Sequence, residues 1–100
     1  MNEPELFFNQ GFDERTAFEA ELKGYYGNAL VQLPAGTRFK VCFYDPIRLA
    51  QDLERGQESG EVCIAEPGLI VVPRVTLHYM ERAVASLFKN GYFDGITPLQ

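Results

Sequence analysis

The sequence predicts an α+β domain: a mainly antiparallel four-stranded sheet with helices packed on one face, in the order α-β-β-α-β-β-α. Three observations carry that expectation. Phe39, Val41 and Phe43 alternate with Arg38, Lys40, Cys42 and Tyr44, the period of a strand with one buried face. Leu77, Met80, Val84, Leu87 and Phe88 recur at helical spacing. Pro34-Ala35-Gly36 and Glu66-Pro67-Gly68 each separate two strand-like segments with turn-forming residues. A chain of 100 residues suits one domain over 1–100, with 1–5 and 97–100 frayed.

The elements follow in order. Leu6, Phe7 and Phe8 form an apolar knot expected to dock on the domain. Asp13 to Lys23 reads as a helix, begun by a Thr16/Glu19 capping box or by Asp13 and ended at Gly24, with Ala17, Phe18 and Leu22 on its buried side. Asn28 to Leu33 and Thr37 to Tyr44 read as a hairpin. Asp45-Pro46 is a strong helix start. A carboxylate can accept from an orphan N–H there, and proline at the first helical position loses nothing by lacking its own.

In that second helix Ile47, Leu49, Ala50 and Leu53 make the expected buried stripe, with Arg48 and Asp52 an i,i+4 pair on the outside. Glu61 to Ala65 and Leu69 to Val72 read as a second hairpin, the latter covered on both faces because it does not alternate. Thr76 to Asn90 is the last helix, followed by an Asp94-Gly95 turn. The chain then contains two strand-strand-helix units over one interior where Phe39, Val41, Leu53 and Leu87 meet.

Composition narrows the function classes. The net charge is −5 and the nine basic residues are scattered. Binding to phosphate backbones or anionic membrane faces needs clustered Lys and Arg, so neither a nucleic-acid nor a membrane partner is expected. Cys42 and Cys63 stand outside any CxxC or ligand-spaced cluster, so no metal site is expected, and free thiols in the cytoplasm are the default. The acidic N-terminus lacks the apolar core of a secretory signal, and no apolar run approaches a membrane span. No phosphate-binding, nucleophile-elbow or calcium-loop motif occurs, and no cofactor is expected.

Five residues remain as candidates for an interface or a pocket. His78 is the only histidine, so any His-based mechanism must use it, with Glu81 to orient it; the plain alternative is a solvated surface histidine. Cys42 and Cys63 fall on the same outer sheet face if Val62 and Ile64 are core, and read either as a reactive pair or as small apolar fillers. Tyr44 and Tyr79 belong to a set of tyrosines near element ends, a residue that buries area yet keeps a polar tip.

The leading expectation is a small acidic protein-binding domain, of adaptor or inhibitor type, that self-associates through the outer sheet face around Cys42 and Tyr44. The alternative is a small enzyme or small-molecule binder whose cleft, between sheet and helices, gathers His78, Cys42, Cys63 and Tyr44. It requires at least two of those side chains to converge on one pocket.

Overall fold

The computed structural model describes residues 3–99. Strand β1 (Glu5–Phe8) is followed by helix α1 (Glu14–Lys23), strands β2 (Tyr25–Gln32) and β3 (Arg38–Tyr44), and helix α2 (Pro46–Glu58). Strand β4 (Leu69–Val71), helix α3 (Leu77–Lys89) and a 3-10 turn over Tyr92–Gly95 complete the chain. The four strands form one sheet in the order β1-β2-β3-β4. β1 and β2 are antiparallel, as are β2 and β3, whereas β3 and β4 are parallel.

The α+β class holds, but the sheet is mixed. Two differences from the expected order explain it. The apolar knot Leu6-Phe7-Phe8 is not a docked loop. It is an edge strand, pairing Leu6 with Val31 and Phe8 with Ala29. Glu61 to Ala65 is no strand, and the amides and carbonyls of 62–65 find no backbone partner among the described residues. The second hairpin is therefore absent, and β4 joins the sheet directly beside β3. A chain that leaves β3, passes through α2 and returns next to β3 enters parallel to it, as a crossover connection must.

The core lies on one face of this sheet. Ala29, Val31, Phe39, Val41, Phe43 and Ile70 point into it, and Met80 and Val84 of α3 close it from above. Burying each such Val or Met is worth roughly 1.5–3 kcal/mol. Phe93 of the 3-10 turn is also buried, its ring 5.2 Å from that of Phe39. β1 and α1 are pinned by Phe8, Phe12 and Tyr26. Phe8 stacks on Phe12 at 4.3 Å and meets Tyr26 edge-on at 5.3 Å. Leu87 packs against the interior with Phe39 and Val41, but Leu53 does not join them.

Local signals account for the helix ends. Asp13 rather than Thr16 caps α1, its carboxylate accepting from the Thr16 amide at 2.8 Å, and Gly24 ends the helix in the left-handed region. Asp45 and Thr76 cap α2 and α3 in the same manner. Fraying was expected at residues 1–5 and 97–100. Residues 1, 2 and 100 lie outside the described ones; Glu5 opens β1, and the Leu99 amide donates to the Arg38 carbonyl at 2.8 Å.

Helices do not pack on one face only. α1 and α3 contribute Ala20, Met80 and Val84 to the core face. Tyr44, whose side chain points away from that face, donates to Asp52 of α2, so α2 lies across the opposite face.

The join between β3 and β4 depends on Gly68, at φ +82°, where a Cβ would collide with the Lys40 carbonyl oxygen. Gly68→Ala is expected to destabilise the fold by about 2–4 kcal/mol, read as a lower urea midpoint, because backbone on both sides must shift and L side chains avoid that φ. Gly36→Ala, also at positive φ but with open space around it, separates the two contributions and should cost only the conformational part, about 1–2 kcal/mol.

Candidate functional site

α2 is attached to the sheet by its charged side. The Tyr44 hydroxyl donates to Asp52 Oδ2 at 3.0 Å, and Arg48 Nε donates to Asp52 Oδ1 at 3.0 Å. Arg48 Nη1 also donates to the Lys23 carbonyl at 3.1 Å, which ties α2 to the end of α1. The Arg48 guanidinium stands 5.4 Å above the Tyr25 ring, and Tyr25 leans on Tyr44 at 4.8 Å. The Asp45 amide donates to the Gly24 carbonyl at 2.9 Å, so the end of α1 and the start of α2 form one clamped corner.

Titration follows from this geometry. Burial pushes the Tyr44 phenol up to about 12, helped by its hydrogen bond to the Asp52 carboxylate. Burial alone would raise the Asp52 carboxyl, but the bonds from Arg48 and Tyr44 outweigh it and hold the group below its ordinary value.

Anchoring α2 in this way turns Ile47, Ala50 and Leu53 of its apolar stripe outward and keeps only Leu49 half-buried. Arg48, Leu49, Asp52 and Gly56 form the half-buried side, and no residue of the helix is fully buried. Ile47, Ala50 and Leu53, expected to be core, lie about a quarter turn or more away and face solvent. α1 shows the same displacement. Ala20 is its buried residue, with Ala17 half-buried, while Phe18 and Leu22, one turn apart, point out. Phe18, Leu22 and Ile47 are 67%, 74% and 71% exposed. They border one shallow depression of about 430 Å³ together with Glu21, Lys23, Asp45 and Arg48.

The five residues singled out by sequence are dispersed. Tyr44 is buried in the network just described. Cys42, two residues before it on the same face, is buried too, with its thiol 3.7 Å from Glu66 Oε1. Burial, and then the Glu66 carboxylate, push that thiol up to about 11. Cys63 is exposed on the connection before β4 rather than on a strand, and both cysteines are free. His78 is exposed on α3, its ring 5.4 Å from that of Tyr79, which packs at the core margin. Cys42 lines a depression of about 270 Å³ with Tyr25, Lys40, Glu66 and Leu99, to which the other four candidates contribute nothing.

Among the described residues, no group of three or more His, Cys, Asp or Glu is placed to hold a metal ion, and no helix is long and apolar enough to cross a membrane. The residues that sequence reasoning misplaced are Phe18, Leu22, Ile47, Ala50 and Leu53, expected inside, and the Arg48/Asp52 pair, expected outside. One sign was available: Arg48, Asp52 and Arg55 make a charged stripe at i, i+4 and i+7 that is as continuous as the apolar one. The chain matches no protein-family model, no curated protein and no solved structure.

The clamp makes stability pH-dependent at both ends. Asp52 titrates lower in the folded state, so its stabilisation is present above the unfolded carboxyl value and is lost as pH falls through the folded one. Tyr44 titrates higher when folded, so its stabilisation is intact below 10 and is lost as pH rises toward 12. Thermal unfolding between pH 3 and 7 should show a shallower acid decline for Asp52→Asn than for the parent. Tyr44→Phe should lower stability at neutral pH by about 1–2 kcal/mol and flatten the alkaline limb, leaving Cys42, Tyr25 and Tyr26, each raised by burial, to account for the remainder.

Proposed function

We propose that the chain is a protein-binding module of adaptor type that self-associates through the apolar surface shared by α1 and α2. The observation that carries this reading is the exposure of Phe18, Leu22 and Ile47, each more than two-thirds open to solvent and all around one depression. Single exposed hydrophobics need no explanation, but adjacent large ones rimmed by polar groups are the usual mark of an interaction site.

The rim speaks for a second copy as the occupant. It carries Glu21 and Asp45 beside Lys23 and Arg48, two acids and two bases. A balanced rim is self-complementary under a two-fold axis, which sets acid against base in both halves of an isologous interface. A standard interface buries roughly 800 Å² per partner around an apolar centre. The three side chains supply that centre, and the exposed polar residues of both helices supply its margin. On this reading the association surface lies at the outer helices rather than at Cys42 and Tyr44, both of which are buried. The enzyme or small-molecule reading has less to stand on, because the depression that Cys42 lines is shared with none of Tyr44, Cys63 and His78.

Mass-resolved sizing tests the proposal. A dimer should populate in the micromolar range, and Phe18→Asp or Ile47→Asp should weaken it by about tenfold or more with unchanged circular dichroism, because both positions are solvent-facing. A chain that stays monomeric at roughly 100 μM in moderate salt removes the proposal.

A further inference from the structure

We propose that the depression beside Cys42 binds a small zwitterion with an apolar body, of the α-amino-acid type. None of Tyr44, Cys63 and His78 lines it, so it is a ligand site without the convergence that catalysis by those residues requires. It adds to the α1/α2 association surface and does not depend on it.

The site is assembled from separate parts of the chain. Cys42 is its buried member, and Tyr25 and Gly27 of β2, Glu66 and Pro67 of the connection and Leu99 of the tail stand around it. Gly27 makes room for Tyr25, because a Cβ there would collide with the Tyr25 hydroxyl. The phenol is thereby folded along its own strand and forms one wall.

The edge of β3 is interrupted at this point. The Cys42 amide donates to the Gly68 carbonyl at 2.9 Å, and the Arg38 carbonyl accepts from the Leu99 amide at 2.8 Å. By the alternation of an antiparallel ladder, Lys40 turns its backbone to the same edge. Its amide lies between those two bonds and has no backbone partner among the described residues. Lys40 itself lines the depression, so this donor is left for a ligand.

The side chains supply one charge of each sign. Lys40 and Glu66 both line the depression, and neither enters an ion pair among the described residues. Glu66 accepts from the Cys42 thiol at 3.7 Å, a weak donor that leaves most of the carboxylate free. Burial raises both the Tyr25 phenol and the Cys42 thiol, and the Glu66 carboxylate raises each further, which sets the three groups around one space.

These charges select the ligand. A purely cationic molecule would meet Lys40, and a purely anionic one would meet Glu66, so each sets a like charge against itself. A zwitterion places its ammonium on Glu66 and its carboxylate on the ammonium and amide of Lys40. Pro67, Leu99 and the Tyr25 ring offer apolar surface to a branched aliphatic side chain. The volume of about 270 Å³ falls below the roughly 300–1,000 Å³ of drug-sized sites and suits a molecule as small as leucine.

The probes are L-leucine, leucinamide, which keeps only the positive charge, and 4-methylpentanoate, which keeps only the negative one. Titrations followed by amide NMR should show leucine shifting the Lys40 and Cys42 amides and binding about tenfold or more tightly than either analogue. Lys40→Met should weaken leucine about tenfold and leave leucinamide no weaker, and Glu66→Gln should weaken leucine and leave 4-methylpentanoate no weaker. Both positions are exposed, so circular dichroism should match the parent. Phe18→Asp, on the other surface, should leave leucine binding unchanged. Unshifted Lys40 and Cys42 amides at roughly 10 mM leucine, or either analogue binding as tightly as leucine, overturns the proposal.

Discussion

The Asp52 carboxylate decides how the outer half of this molecule is arranged. It accepts from Tyr44 on the sheet and from Arg48 on its own helix, and Arg48 in turn reaches the Lys23 carbonyl at the end of α1. A half-buried carboxylate in contact with an aromatic surface is costly unless each oxygen is satisfied, and here both are. Once the charged side of α2 is committed to the sheet, its apolar side has nowhere to go but outward. The exposed Ile47 is thus a consequence of a polar contact, and with Phe18 and Leu22 it makes the surface on which the functional reading rests.

The mixed sheet has a similar logic. β2 and β3 pair as a hairpin because a short turn joins two alternating segments. β4 lies parallel to β3 because α2 intervenes and returns the chain to the same end of the sheet. Gly68 permits the close approach, carrying its carbonyl to the Cys42 amide where any side chain would meet Lys40. Placing β4 at the edge leaves the Val71 amide and the Leu69 and Val71 carbonyls without a backbone partner among the described residues.

Much of the fold was legible from local chemistry. The β2-β3 hairpin, the α2 start at Asp45-Pro46 and the length of α3 follow from periodicity and capping, which act over a few residues and are written directly in the chain. β1 was not legible, because Leu6-Phe7-Phe8 has no alternation and becomes a strand only when Val31 and Ala29 offer it an edge. Glu61 to Ala65 shows the converse: Val62 and Ile64 have the strand period, yet residues 62–65 make no backbone pair among the described residues. Of the five residues chosen as candidates, Cys42 and Tyr44 share a strand face and are buried, while Cys63 and His78 are exposed elsewhere.

The sequence by itself determined the α+β class, the alternating core of β3, the helix caps and an acidic surface, since each depends on residue type and on spacing within a turn or a strand. Tertiary structure decided which side of α1 and α2 is buried, which segments become strands, and that β3 and β4 run parallel. Amphipathic spacing shows that a helix has two sides but does not say which one its neighbours accept. Tyr44 makes that choice for α2, and it can act only after the chain has folded back to bring Asp52 against it.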